Sequence, residues 1–195
     1  MVQLEQIVNQ LESLTPENLA ELAGYVQYLK WKQGISAPSG AGRPWAFDFV
    51  EHFRRAVLTA DQDPAGMEVR VGEGVCAGDS RMALWQHPPV EGAAIVEYQV
   101  PVPADVGNLR LRFATGIRDG SQLAEGNVVA FRIFVNDWKI WSDTQRVREW
   151  KEYEIEMPTL PGDVARVQFV TDGLGNHQWA WAVWGEPRLV GEVAG

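Results

Sequence analysis

A single cysteine, Cys76, stands in 195 residues. It excludes an internal disulfide and any cysteine-cluster zinc site. Histidine is almost as scarce: His52, His87 and His177 are the full set. They are far apart and match no paired-histidine or HExxH spacing, so no metal ligand set is legible in them. No apolar run approaches the roughly 20 residues of a membrane helix. The opening Met1-Val2-Gln3-Leu4-Glu5 lacks the basic-then-apolar order of a signal peptide, so the expectation is a cytoplasmic protein with no membrane partner. Basic residues are outnumbered, 17 against 26 acidic, for a formal charge of −9. Nucleic-acid binding rests on phosphate neutralisation, and this balance argues against it. Phosphate-loop, dinucleotide and GxSxG nucleophile motifs are also missing.

Tryptophan is abundant instead, with nine residues. Indoles fill cores, and they also form stacking platforms for ring-shaped ligands. The apolar share of 46% suits a packed core.

The chain divides into three parts: a helical hairpin over 1–33, a linker over 34–43, and a β-sandwich domain with a leading helix over 44–195. Leu4, Ile7, Leu11 and Leu14 recur at helical spacing. Thr15-Pro16-Glu17 is a helix start, and Leu19, Leu22, Val26 and Leu29 form a second stripe. Two short helices cannot bury both stripes alone, and the expectation is a homo-oligomer assembled through residues 3–33. GISAPSGAG, from Gly34 to Gly42, has a linker's composition. Phe49, Val50, Phe53 and Val57 fall on one helical face, which predicts a helix within 44–60. From Met67 onward the period is two. Val96, Tyr98 and Val100 alternate with polar residues, as do Leu109, Leu111 and Phe113, then Phe131 and Ile133, Ile155, and Val167 and Phe169. Arg110, Arg112, Glu152 and Glu154 fall on the opposite, solvent faces. Asn136-Asp137 reads as a tight hairpin turn. Eight or nine such strands without intervening helices predict a mainly β fold, an antiparallel jelly-roll β-sandwich preceded by an α-helical hairpin.

Candidate chemistry is thin. Cys76 lies among small residues and reads as a buried hydrophobe. Asp137, Asp143, Asp172 and Glu186 sit in or near loops, where a glycosidase would need two carboxylates facing across a cleft. Asp119 and Asp172, each followed by glycine, are the candidate oxygen ligands for a structural calcium, although no EF-hand pattern is present. The expectation is no catalytic residue and no cofactor. The aromatic set is more informative: Trp85, His87, Trp138, Trp141 and Trp179 are the candidate ligand-binding residues.

The segments Ala83-Leu84-Trp85-Gln86-His87-Pro88-Pro89, VEYQVPVP, LRLRFATGIRDG, VVAFRIFVNDWKIW and WAVWGEPRLV resemble the galactose-binding-like jelly rolls of the carbohydrate-binding-module type. In particular they resemble the NPCBM-type module found beside glycosidase domains. The likeness covers about residues 67–191. Where that family commonly has an aspartate before the closing tryptophan run, this chain has Ala180. The resemblance implies a non-catalytic binding module with a glycan partner. Residues 3–33, through Leu14-Thr15-Pro16-Glu17 and Tyr28-Leu29-Lys30-Trp31-Lys32, are similar to the helical segment of VapB-like antitoxin-related proteins, which implies protein contacts. Two alternatives stand beside the binding module. One is a self-assembling structural protein without a small ligand, which predicts fully buried tryptophans. The other is a glycoside hydrolase-like enzyme, which predicts converging carboxylates.

Overall fold

The computed structural model describes residues 43–157 and 164–193, together with Leu11, Leu14, Thr15 and Leu19. The hairpin over 3–33 and the linker over 34–43 therefore lie almost wholly outside the described residues. Eleven strands follow in chain order: β1 Arg43–Asp48, β2 Val57–Ala60, β3 Glu68–Cys76, β4 Asp79–His87, β5 Ala93–Pro101, β6 Val106–Ile117, β7 Val129–Val135, β8 Trp138–Gln145, β9 Lys151–Glu156, β10 Val164–Asp172 and β11 Ala182–Val193. They form two antiparallel sheets. The first has the order β3-β4-β11-β6-β9, with β1 also paired to β11, and the second β2-β5-β10-β7-β8. Strand β11 serves two neighbours in turn. Val183–Gly185 pairs with β4, and Arg188–Val193 falls within its pairing to β1. The register shifts between Gly185 and Arg188, where Glu186 takes a φ of 43°.

Period-two alternation places the core between the sheets. Val96, Tyr98, Leu109, Leu111, Phe113, Phe131, Ile133, Val167 and Phe169 are buried. Arg110, Arg112, Glu152 and Glu154 are exposed, as expected. Ile155 is only partly buried, because β9 is the edge of its sheet. Trp184 is fully buried at the centre, with Phe113, Phe131, Phe169 and Trp141 packed around it at 5.1–6.1 Å between centroids. Gln86 ties the sheets together within this apolar core. Its Nε2 donates to the carbonyls of Ala94 and Phe169, at 2.8 Å each, and its Oε1 accepts from Trp184 Nε1 at 2.8 Å. Two hairpins turn on left-handed pairs. Asn136-Asp137 has φ of 48° and 71°, and Ala77-Gly78 has 52° and 77°. That is the geometry the right-handed strand twist favours in two-residue loops.

The leading helix is not formed. Residues 43–60 build β1, a 3-10 turn at Phe53–Arg55, and β2. Two contacts that local periodicity does not register decide this. Strand β1 pairs over six residues with β11, almost 150 positions away in sequence. Asp48 Oδ1 accepts from Val50 N at 2.8 Å and Glu51 N at 3.2 Å, turning the chain so that Phe49 as well as Phe47 enters the core.

Candidate functional site

The outer face of the first sheet is built unlike an ordinary solvated face. Its central positions are small: Gly72, Gly74 and Cys76 on β3, Ala83 on β4, Ala114 and Gly116 on β6, Val183 and Gly185 on β11. Two indoles lie on this floor and, with Cys76, Ala83 and Val183, make a second apolar cluster: Trp150 and Trp85. The floor has no room for larger residues. A Cβ on Gly116 would sit 2.6 Å from Cys76 Sγ and 3.0 Å from Trp150, and one on Gly185 would sit 2.9 Å from Trp150. Trp150 is fixed by its Nε1 donating to the Asp79 carbonyl at 3.0 Å, and the Arg81 guanidinium stands 5.2 Å from its ring. Beside Trp150 runs an open groove of about 430 Å³, lined among others by Arg81, Arg112, Glu152, Gly185, Glu186 and Arg188. The Arg81–Glu152 ion pair crosses it, and Glu154 takes Arg110 and Arg112 at 2.6 Å each. Those two guanidiniums hold the Glu154 carboxyl below its ordinary range.

Trp85 carries the other end of the face. Arg70 of β3 covers one ring face at 3.2 Å, and Arg118, at the end of β6, stacks on the ring at 3.1 Å. Arg118 also lies 5.1 Å from Trp181, which in turn packs against Trp179 at 5.2 Å with the rings tilted by 46°. Trp179 is 39% exposed. Its backbone has φ of 61°, a strained setting for a bulky residue. Two donors hold it there through its carbonyl, Ser121 Oγ at 2.5 Å and Trp181 N at 2.8 Å. His87 Nδ1 bonds the Ala180 carbonyl at 2.9 Å, and His177 meets its ring edge-on at 6.1 Å. Burial is the main cause that lowers the His87 pKa, the Ala180 bond opposes it, and the neighbouring His177 adds to the lowering. Asp119 anchors the segment after β6, accepting from Ala77 N and Gly78 N at 2.9 Å each at the tip of the β3–β4 hairpin.

Three of the five sequence candidates, Trp85, His87 and Trp179, thus come together at this end of the sandwich. Trp138 and Trp141 do not join them. Both lie on β8 in the other sheet. Trp141 packs on Phe113, Tyr153 and Trp184 as part of the core. Local reading missed Arg70, Arg118, Trp150, Trp181 and His177. Trp181 has a signal in its two-residue spacing from Trp179, although both precede β11 and neither lies on a strand, but the arginines and Trp150 reach the site only through pairing between distant strands.

The remaining candidates have structural employment. Cys76 is buried and its thiol is pushed up to about 12, first by burial and then by the charge of Asp119, which leaves it no nucleophile at neutral pH. Asp119 and Asp172 do not share a calcium site: Asp119 caps the hairpin, while Asp172 pairs with Arg132 at 3.1 Å and accepts from Leu174 N at 2.7 Å. Among the described residues no group of three or more His, Cys, Asp or Glu is placed to hold a metal. His52 stacks on Phe47 at 4.1 Å, apart from the other two histidines. Asp137 pairs with Arg166, Asp143 with the Tyr153 hydroxyl and Lys151, and Glu186 with Arg188. Burial alone would raise the Asp143 carboxyl, but the Tyr153 hydroxyl, the Thr144 N–H and Lys151 outweigh it and hold it low, the reverse of a general acid.

No protein-family model matches the sequence. No curated protein matches it either. Solved structures do. The tandem CBM51 modules of a family 98 glycoside hydrolase from Streptococcus pneumoniae superpose with a TM-score of 0.50 at 9% identity, over 72% of this chain and 49% of theirs. The CBM51-2 and INT domains of Clostridium perfringens ZmpB, in complex with GlcNAc, give 0.49 at 12%, over 71% of this chain and 30% of theirs. The CBM51 of Clostridium perfringens GH95, in complex with methyl-galactose, gives 0.48 at 11%, over 74% and 99%. The chain thus spans less than half the length of the first two. The likeness to the tandem modules shows a shared fold: the described sandwich is built like those of carbohydrate-binding modules.

Proposed function

We propose that this protein is a non-catalytic carbohydrate-binding module, and that it holds a saccharide on the Trp179–Trp181 pair and the adjoining outer face of the first sheet. The observation that carries this reading is Trp179, 39% exposed on a strained backbone, tilted against Trp181 and flanked through it by the Arg118 guanidinium. An indole face offers area to the C–H side of a sugar ring, and neighbouring guanidinium and imidazole groups supply donors for its hydroxyls. The two rings are not coplanar. A tilted pair suits the curve of a chain end or a bent oligosaccharide better than a flat crystalline surface. The open groove beside Trp150 gives a longer ligand room to continue across the sheet.

The purely structural alternative requires every indole to be buried. Of the eight described tryptophans only Trp184 is buried. Trp179 is the one exposed indole among them, and an exposed indole backed by a second, partly buried one offers a stacking face to a ligand. The test is calorimetry with a panel of neutral and charged oligosaccharides on the parent and on Trp179→Ala. The parent should bind at least one member, and the variant should lose most of that affinity while its unfolding midpoint stays close to the parent's, since Trp179 supports little of the core. Silence of the parent across the panel would remove the reading.

A further inference from the structure

The Arg70–Trp85–Arg118 stack has donors without acceptors. Arg118 stacks on Trp85 and Trp181, and no carboxylate among the described residues forms an ion pair with it. Its positive charge is disfavoured first by burial and then by the charge of Arg70, with Glu68 in partial compensation. Trp85 Nε1 is the one buried side-chain polar atom among the described residues that lacks a hydrogen-bond partner. An orphaned donor of this kind is costly and calls for an explanation. The Gly72 position explains how it is covered. A Cβ there would lie 3.9 Å from Trp85 Nε1 and 3.1 Å from the Arg70 guanidinium, so the Arg70 head spreads over the same corner of the floor. Arg70 itself is exposed and held by one local pair, Nε to Glu68 at 2.9 Å. Such exposed pairs contribute little, and the side chain is easily displaced.

In a chain of net charge −9, two guanidiniums stacked on one indole, with Glu68 the carboxylate that acts on both and an N–H that lacks an acceptor, form a local anion-attracting corner. We propose that Arg70 is a displaceable cover over Trp85, and that this corner binds the anionic group of an acidic saccharide, a uronate carboxylate or a sugar sulfate, between Arg70 and Arg118 with the Trp85 indole N–H donating to it. The inference rests on the carbohydrate-binding reading above and narrows its ligand class. Planar guanidiniums suit the paired oxygens of either group. When Arg70 swings outward to the anion it uncovers a face of Trp85, so gripping the charge also frees a stacking surface for the sugar ring next to it.

The experiment compares three probes by calorimetry and tryptophan fluorescence: a galacturonate tetramer, the same tetramer with its carboxyls reduced, and a sulfated galactose tetramer. The parent should prefer the galacturonate to its reduced form by about tenfold or more, the scale of one charged hydrogen bond. That preference should shrink at about 0.5 M salt, where screening acts over a few ångströms. It should also fall in Arg118→Gln and in Arg70→Gln. The second variant lies at an exposed position and keeps the test valid if the first fails to fold. Binding of the sulfated probe as well would make the site a reader of either anion, while its failure would restrict the site to uronates; both support the inference. Equal affinity for the acidic and reduced tetramers, or a preference that survives both variants, would overturn it. If the reduced tetramer binds and the acidic one binds no better, the carbohydrate reading stands and this inference alone falls. If no saccharide binds, both fall.

Discussion

Gln86 shows how a single polar residue defines this core. It is fully buried, and its amide satisfies two carbonyls of the second sheet and the Trp184 indole N–H together. Its own carbonyl accepts from Thr171 Oγ1 at 2.8 Å. Buried networks of this kind fix one arrangement of the two sheets, because any slip leaves a donor without a partner in a low dielectric. Gln86→Leu should lower the unfolding free energy by roughly 1–3 kcal/mol through the orphaned Trp184 N–H alone. Urea unfolding measures it. Adding Trp184→Phe to Gln86→Leu should cost less than the two single changes combined, since the orphan is gone. A Gln86→Leu protein as stable as the parent would show that the network contributes nothing. Before the sheets are placed, Gln86 is only a polar residue inside the run Ala83–Pro89.

At the scale of the element, the outer face of the first sheet depends on what its strands leave out. Gly74, Gly116 and Gly185 come from three different strands, yet a Cβ on any of them would meet the same Trp150 ring, at 3.5, 3.0 and 2.9 Å. Gly116→Ala should therefore push against both Cys76 Sγ and Trp150 and destabilise the fold by about 1–3 kcal/mol, the usual scale of overpacking. Thermal unfolding measures the loss, and a red shift of tryptophan emission would report Trp150 lifting from the floor. An unchanged midpoint and spectrum would mean that the ring relaxes freely and the floor is not tightly fitted. Residues 43–60 teach the converse lesson. Phe49, Val50, Phe53 and Val57 have helical spacing, but pairing with β11 and the Asp48 turn outweigh it. Local periodicity is a weak preference, and a six-residue ladder with two buried phenylalanines is a stronger term.

For the whole molecule, the first strand of the described sandwich begins at Arg43 and pairs with its last. Deleting residues 1–33 should leave a chain that unfolds cooperatively and retains the saccharide binding of the parent. The role of the apolar stripes over 3–33 as an assembly device is a proposal that the same deletion tests. Light scattering should give an oligomer for the full chain and a monomer for the shortened one. A full chain that is monomeric in dilute solution would end the assembly idea, and a shortened chain that does not fold would show that the sandwich needs the segment as a cap.

The sequence by itself determined the class of fold and most of the core, because alternation in a two-faced strand is a local pattern: Val96 with Tyr98, Leu111 with Phe113, and Phe131 with Ile133 mark their inward side without reference to any partner. It also marked the Asn136-Asp137 turn, a matter of two residues and their tolerance of positive φ. Trp85, His87 and Trp179 stood out as candidates by residue type alone. Only the tertiary structure decided which aromatic residues share a surface. It sent Trp141 into the core, laid Trp150 on a floor of glycines from three strands, and set Arg70 and Arg118, 48 positions apart in sequence, against the ring of Trp85. Such juxtapositions follow from strand order and register between segments far apart in the chain. No local pattern encodes them, because the free energy that fixes them arises only when both sheets are assembled and their faces are packed.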